Sequence, residues 1–287
     1  MSHLLSHGWL IFLLFCWVAL SVGSFLNVAI YRLPVMLNRE WRSQAREILE
    51  DSKDFSSNPV QEESETFNLM VPRSRCPDCA KPIKAWQNIP VLSWLLLRGR
   101  CAECGSPISA RYPLVELFTL LCSLAVIALY GYTWLGLVVL FFTWWLITLS
   151  FIDFDTRLLP DSLTLPLLWG GLLLNTRHGI TDLTSAVIGA VAGYLILWSI
   201  YWAFKLLTGK EGMGYGDFKL LAALGAWMGW QALPIVILVS SISGVVLGGG
   251  LMLFGIIQRT NPIPFGPFLA IAGWITLLWR DTLVHLL

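Results

Sequence analysis

Long apolar stretches without charges alternate with short polar ones along most of this chain. The apolar stretches cover residues 8–31, 114–152, 162–176, 183–204, 220–257 and 260–279, and only Glu116 interrupts them with a charge. About 20 apolar residues suffice to cross a bilayer, and a helix satisfies its own backbone hydrogen bonds there. Two stretches are long enough for two crossings, so we predict turns near Gly131 and between Gln231 and Pro234. The pattern therefore predicts an all-α polytopic membrane protein with about eight transmembrane helices.

One polar module interrupts this pattern. Between Arg32 and Arg111 lie 12 of the 19 Lys and Arg residues and 10 of the 18 Asp and Glu residues. Only 13% of the chain is charged, against about a quarter in soluble domains. A net charge of +1 gives no reason to expect a nucleic-acid partner. We predict three regions: a first span at 8–31, a loop at 32–113 and a multispan membrane domain at 114–287.

The basic residues of the loop predict the orientation of the chain in the bilayer. Loops rich in Lys and Arg remain on the cytoplasmic side, so the 32–113 loop is expected to face the cytoplasm. Alternating the later spans from that point places Asp153 on the cytoplasmic face. Two predicted spans separate Asp153 from Asp217, so both carboxylates are expected at the same membrane face.

These aspartates occur in two short polar segments. The segment "FIDFDTRLLPDSLTLP" contains Asp153, Asp155 and Asp161, and the segment "GMGYGDFKLL" contains Asp217 after three glycines. Two carboxylates at hydrogen-bonding distance share a proton, so one can activate water while the other protonates the substrate. This is the chemistry of aspartic proteases, and it requires neither a Ser-His pair nor a metal ion.

Spacing alone leaves other roles open for these aspartates. Asp217 precedes a predicted helix and would serve as an amino-terminal cap, while Asp161 would suit the first turn of a helix. Carboxylates at a membrane face also bind cations or relay protons in transporters. A non-catalytic assembly scaffold is a further alternative. The spacing also does not choose among Asp153, Asp155 and Asp161.

Four cysteines in the loop form an internal repeat. The segments "CPDCAKPI" and "CAECGSPI" both fit the pattern C-x-x-C-x-x-P-I. Two such pairs complete a tetrahedral zinc site, whereas a reducing cytoplasm disfavours the alternative of two disulfides. We predict a zinc-ribbon-like module with a structural Zn²⁺, because four protein ligands leave no open position for catalysis. The expected ligands are Cys76, Cys79, Cys101 and Cys104.

At this point several motifs, in order along nearly the whole chain, resemble a known family. They are "GSFLNVAIYRLP", the cysteine pairs around "NIPVLSWLLLRGRC", "RYPLVELFT", "IDFDTRLLPDSLTLP" and "GYGDFKLLAALGAW". Each is moderately specific, and their common order is highly specific. The chain is similar to the bacterial type IV prepilin peptidases, also called prepilin leader peptidase/N-methyltransferases.

The resemblance implies a multi-pass protein of the bacterial inner membrane with its active site facing the cytoplasm. It implies an aspartic endopeptidase that removes the basic leader of type IV prepilins or type II secretion pseudopilins, cutting after a glycine. The family motifs match catalytic positions to Asp153 and Asp217. The resemblance further implies methylation of the new amino terminus by S-adenosylmethionine. The donor contacts stay unknown, because the sequence contains no Rossmann-type glycine fingerprint.

The main alternative to this function is an ion- or proton-coupled membrane transporter with a zinc-stabilised regulatory loop. It would use the same two aspartates for a cation instead of a peptide bond. Processing of a prepilin separates the two functions. The expected partners of a peptidase are prepilins or pseudopilins and the lipid bilayer.

Overall fold

The computed structural model describes residues 2–50, 66–177, 179–210, 212–253, 264–280 and 282. Helices account for nearly all regular structure in these ranges, where only isolated β-bridges occur in place of strands. The helices are α1 Ser2–Glu50, α2 Leu92–Leu96, α3 Arg111–Tyr130, α4 Trp134–Thr156, α5 Asp161–Asn175, α6 Leu183–Thr208, α7 Tyr215–Met228, α8 Leu233–Leu253 and α9 Gly266–Leu278. The predicted all-α class is confirmed.

Five of the described helices are long and apolar enough to cross a membrane. They lie at Gly8–Leu49, Arg111–Tyr130, Trp134–Thr156, Leu183–Thr208 and Trp230–Leu247. The turn predicted near Gly131 is confirmed, since one helix ends at Tyr130 and the next begins at Trp134. The second break covers residues 229–232, slightly before the predicted position, because Pro234 lies in the first turn of α8. Helices α5, α7 and α9 are shorter, with 15, 14 and 13 residues. The count of about eight spans stays a prediction, and residues 260–263 of the last predicted span lie outside the described ranges.

The chain forms two compact units, residues 1–124 and 125–287. In the first unit, α1 does not end at Tyr31, the predicted end of the first span, but continues to Glu50. The continuation is rich in Arg, Glu and Leu, which are good helix formers even in water. Pro34 lies inside the helix, and the Asn38 side chain donates a hydrogen bond to its carbonyl oxygen at 3.0 Å.

Polar contacts attach the loop of the first unit to α1. The Arg32 guanidinium donates to the carbonyl oxygens of Asn68 and Pro72 at 2.8 and 2.5 Å. The Asn27 side chain donates to the Tyr112 carbonyl at the start of α3 at 3.1 Å. A Cβ at Gly23 would lie 2.8 Å from the Glu116 Cα, so α1 and α3 approach backbone to backbone there.

Helix α7 is the centre of the second unit. Its residues from Leu220 to Met228 are all buried, because α5, α6, α8 and α9 pack against it. A helix that is apolar on all sides belongs inside a bundle. Gly189 and Gly193 of α6 allow the closest approach, since a Cβ at either would meet the α7 backbone. This packing holds the amino terminus of α7, and Asp217 with it, inside the unit.

Candidate active site and metal centre

Asp153 lies in the last turn of α4 and is 5% exposed. Its Oδ2 accepts a hydrogen bond from the Gly266 N–H at 2.9 Å. Gly266 is the first residue of α9, so the carboxylate faces the positive end of that helix. A Cβ at position 266 would lie 2.6 Å from the Asp153 Oδ2. Only glycine therefore permits this contact without a shift of one of the two groups.

Asp217 lies in the first turn of α7 and is 7% exposed. The amino-terminal cap of α7 is Gly214, and no side chain caps the helix. Asp217 is therefore not the cap residue itself, although its carboxylate receives a hydrogen bond from the Gly214 backbone N–H. Among the described residues, its Oδ1 is buried and has no hydrogen-bond partner. Buried polar atoms without partners are rare and are typical of functional sites.

The fold brings the surroundings of these two carboxylates together. Leu159, in the connection after α4, lies against both of the glycines that accompany the aspartates. A Cβ at Gly216 would lie 2.7 Å from the Leu159 Cβ, and one at Gly266 would lie 3.2 Å from its Cδ1. Leu159 thus contacts the residue before Asp217 and the hydrogen-bond partner of Asp153, which places both carboxylates in the same part of the second unit. Two buried acids in this arrangement suit a shared proton.

The other two candidate aspartates have different surroundings. Asp155 is exposed at the end of α4. Asp161 begins α5, and the Lys219 ammonium donates to both of its carboxylate oxygens at 2.6 and 2.7 Å. The Asp161 side chain is 58% exposed. Of the three aspartates in the first segment, only Asp153 is buried beside Asp217, which favours the assignment carried by the resemblance.

Sequence reasoning missed Gly266 and Leu159. Gly266 is distant from Asp153 in sequence. Its hydrogen bond to Asp153 comes from the backbone N–H, which no pattern of side chains indicates. The one available signal was the proline in "FGP", because proline is typical of the first turn of a helix. Leu159 carries no chemical signal at all.

The four loop cysteines are brought together as predicted. Their sulfur atoms all lie within 4.8 Å of one another. The Cys76 and Cys104 sulfurs are 3.8 Å apart, which is about the sulfur–sulfur edge of a tetrahedron with zinc–sulfur bonds of about 2.3 Å. The donor set and its spacing therefore fit a metal ion such as zinc.

The two cysteine segments also share their backbone geometry. Cys76 and Cys101 each donate an N–H to a carbonyl five residues ahead and accept from the residue four ahead, Ala80 or Gly105. Ala80 and Gly105 both have positive φ, 57° and 74°.

Hydrogen bonds from the Cys79 and Asp78 backbone N–H groups lower the pKa of Cys76 to about 6. This favours the thiolate of Cys76, the form that binds a metal. Despite a hydrogen bond from the Lys81 backbone, burial raises the pKa of Cys79 to about 11, so metal binding would have to displace a proton there.

Comparison with known proteins identifies two families along the chain. The Bacterial Peptidase A24 N-terminal domain matches residues 17–130, and the Type IV leader peptidase family matches residues 140–249. No solved structure gives a significant match.

Several curated relatives carry the name "Prepilin leader peptidase/N-methyltransferase". The one from Aeromonas salmonicida (strain A449) is 60% identical over 283 residues, covering 98% of this chain and 96% of that protein. The one from Pseudomonas aeruginosa is 50% identical over 285 residues, covering 99% and 96%. The one from Neisseria gonorrhoeae is 51% identical over 265 residues, covering 92% and 89%. These matches confirm the resemblance seen in the motifs and give no support to the transporter alternative.

Proposed function

This chain belongs to the type IV leader peptidase family, and on that premise we propose that Asp153 and Asp217 are its proteolytic dyad. Relatives at 50% to 60% identity are named for prepilin processing and N-methylation, and the chain is a prepilin peptidase with N-methyltransferase activity. The observation that carries the assignment of the dyad is the pair of buried carboxylates from α4 and α7, one with an unpartnered oxygen.

The reaction needs no group beyond these carboxylates and water. One carboxylate takes a proton from water while the water oxygen attacks the carbonyl carbon of the scissile peptide. The other carboxyl group gives its proton to the carbonyl oxygen and regains it when the intermediate collapses. As the carbon–nitrogen bond breaks, the leaving nitrogen takes the proton that came from water. The pair then again holds one proton.

Burial supports this chemistry in two ways. Charges interact more strongly when water is excluded, so one proton shared by two carboxylates is favoured over two full charges. The Gly266 N–H holds one Asp153 oxygen, which limits the orientations that this carboxylate can adopt. Among the described residues, one buried Asp217 oxygen has no hydrogen-bond partner, so a water or a peptide group that reached it would satisfy it.

The substrates follow from the relatives and from the charge pattern. We infer that the chain is a bacterial inner-membrane protein that cuts type IV prepilins or type II secretion pseudopilins at the cytoplasmic face. The basic residues between Arg32 and Arg111 support this orientation. A pilin precursor keeps its basic leader in the cytoplasm and its apolar helix in the bilayer. A site at that face meets the scissile bond without extracting the helix from lipid.

The two cofactors have different roles in this proposal. The four loop cysteines hold a structural Zn²⁺, since a complete thiolate set leaves no open coordination position. S-adenosylmethionine, when bound, would supply the methyl group for the new amino terminus. The protein must bind that donor and the new amino terminus.

Carboxylate-to-amide variants test the dyad with little change in side-chain size. Purified Asp153→Asn and Asp217→Asn proteins are incubated with a prepilin, and loss of the leader is followed by mass spectrometry. We expect cleavage to fall by at least about a thousandfold, since members of a catalytic unit fail together. Asp155→Asn is the matched control, and it should cleave like the wild type. Full cleavage by either dyad variant would refute the assignment.

A further inference from the structure

We propose that the first unit holds the methyl donor in a cavity between α1, the cysteine module and the start of α3, with Glu116 facing the cationic sulfonium. The proposal rests on the methyltransferase half of the proposed function and is independent of the aspartate dyad. The sequence alone does not indicate which residues bind this donor.

The cavity lies wholly inside the first unit. Its volume is about 590 Å³, within the range of about 300 to 1,000 Å³ typical of small-molecule sites. Residues of α1, including Val28 and Tyr31, form one wall, and Tyr112 and Glu116 of α3 form another. The cysteine module closes it with residues that include Cys101. The zinc module would therefore shape a binding site as well as stabilise the loop.

Glu116 is the acidic group in the wall of this cavity, and it is 7% exposed. Its Oε2 accepts a hydrogen bond from the Val91 N–H at 2.7 Å, and the Ser24 side chain also bonds to the carboxylate. Both partners are uncharged. A buried carboxylate without a cationic partner is costly, and a cationic ligand would remove that cost.

The backbone that supports Glu116 is itself strained. Val91 has a φ of 58°, which is rare for a β-branched residue. Strained residues persist where the surroundings hold them and cluster at ligand sites. Here the strain directs a backbone donor at the one buried carboxylate of the cavity.

Arg32 also lines the cavity, but its hydrogen bonds go elsewhere. Its guanidinium donates to the carbonyl oxygens of Asn68 and Pro72 and lies over the Phe67 ring, 5.5 Å from its centroid. Arg32 is thus used to attach the loop to α1.

Arg75 is a second cation in the lining, where its guanidinium suits the carboxylate of an S-adenosyl amino acid. Among the described residues, the Val91 N–H and the Ser24 side chain, and neither arginine, are the hydrogen-bond partners of Glu116.

Aromatic side chains complete the match to a donor of this class. Tyr31, Trp94 and Tyr112 all line the cavity, and the Trp94 indole N–H is held by the Ile108 carbonyl at 3.1 Å. Aromatic rings attract cations over their faces and stack on flat heterocycles. An S-adenosyl compound combines a sulfonium cation with a purine, so a carboxylate and several rings suit both of its ends.

Two stable analogues of the donor test the role of Glu116. Sinefungin carries an amine in place of the sulfonium and is cationic there, whereas S-adenosylhomocysteine has a neutral thioether. Both ligands are titrated into the full-length protein by calorimetry, for the wild type and for Glu116→Gln. We expect the variant to lose about tenfold or more in affinity for sinefungin and much less for S-adenosylhomocysteine, because a charge-assisted contact is removed only for the cation.

Glu103→Gln is the matched control for this experiment. Glu103 is an acid of the same unit that pairs with Lys81 at 2.8 Å, and we expect its variant to bind both ligands like the wild type. Equal losses for the two ligands in Glu116→Gln would mean a general structural effect and would overturn the assignment to the sulfonium. Unchanged affinity for sinefungin would overturn it as well.

A second variant tests the cavity without touching the carboxylate. Val28→Trp places a large side chain on the α1 wall, and it should weaken both ligands by about tenfold or more while zinc content stays at the wild-type level. Wild-type binding of both ligands by this variant would mean that the donor does not bind in this cavity.

The dyad is tested separately, because Asp217→Asn should bind sinefungin normally. Cleavage of a prepilin by Asp217→Asn would refute the assignment of the dyad without affecting the proposal for the cavity.

Discussion

The two units of this protein hold their candidate functional residues in place by different interactions. In the first unit a polar loop is tied together by four cysteines and by hydrogen bonds from Arg32, around a cavity of about 590 Å³. In the second unit Asp217 lies at the amino terminus of α7, whose residues from Leu220 to Met228 are buried among the other helices and whose carboxyl end accepts hydrogen bonds from Asn175. Few apolar residues of the loop are buried, so a bound metal would stabilise it, whereas a buried helix bundle is stabilised by close contact between backbones.

Loss of the metal should give the largest effect, and it should be confined mainly to the first unit. Cys101→Ser removes one of four ligands of a site whose metal contributes on the order of 10 kcal/mol to folding. We expect zinc content, measured by atomic absorption, to fall sharply and N-methylation to fall more than leader cleavage. Cys16→Ser, outside the cluster, is the control. Equal losses of both activities would contradict the separate roles of the units.

A single methyl group beside Asp153 should impair the second unit strongly. In Gly266→Ala the new Cβ would lie within 2.6 Å of the Asp153 Oδ2, so the carboxylate or α9 must move. Displacements of this size at a catalytic group cost about a hundredfold in rate, and we expect cleavage to fall by about that factor. Gly250→Ala in α8, where a Cβ meets nothing within 4 Å, should cleave normally. Zinc content should not change in either variant.

Adding a methyl group where α6 packs on α7 should have a smaller effect, and we expect it on stability. A Cβ at Gly189 would lie 2.5 Å from the Gly225 carbonyl oxygen and 2.8 Å from the Gly229 backbone. Overpacking of this kind costs about 1 to 3 kcal/mol. Thermal unfolding in detergent should show a lower Tm for Gly189→Ala than for Gly249→Ala, which meets no neighbour. A Tm equal to that of the control would contradict the close approach.

The ion pair between Lys219 and Asp161 should matter least. It joins α7 to the start of α5, but the two side chains are 28% and 58% exposed. Exposed pairs contribute about 0.2 to 1 kcal/mol, so we expect Lys219→Met and Asp161→Asn to show a coupling energy in that range. A double-mutant cycle on unfolding free energy measures it. A coupling of several kcal/mol would mean that this pair, and not packing, positions α7.

Much of the site was predictable because its signals are local. Uncharged stretches of sufficient length predict helices in lipid whatever surrounds them, and the turns before Trp134 and Leu233 were predicted for that reason. The cysteine spacing predicted the metal cluster, since each knuckle is formed by a few neighbouring residues. Counting spans placed Asp153 and Asp217 on one face, although their proximity depended on packing that no local pattern encodes.

Other features had no local signal. The boundary expected at Tyr31 marks where polarity changes, but a helix continues through such a change when its residues favour helix in water as well. The contact of Gly266 with Asp153 joins residues far apart in the chain through a backbone N–H, which has the same chemistry at every position. The cavity around Glu116 likewise exists only because α1, the loop and α3 are assembled.

The amino-acid sequence by itself determined the helical class, the cluster of four cysteines and the two acidic segments, because hydrophobicity and short spacings act between neighbours along the chain. The tertiary structure decided which aspartate is buried, which backbone group holds it and where the first unit leaves a cavity. Those outcomes depend on burial and on contacts between distant segments. Burial and such contacts arise only when helices pack against one another. Packing also excludes water, and the resulting low dielectric changes the protonation equilibrium of a buried carboxylate.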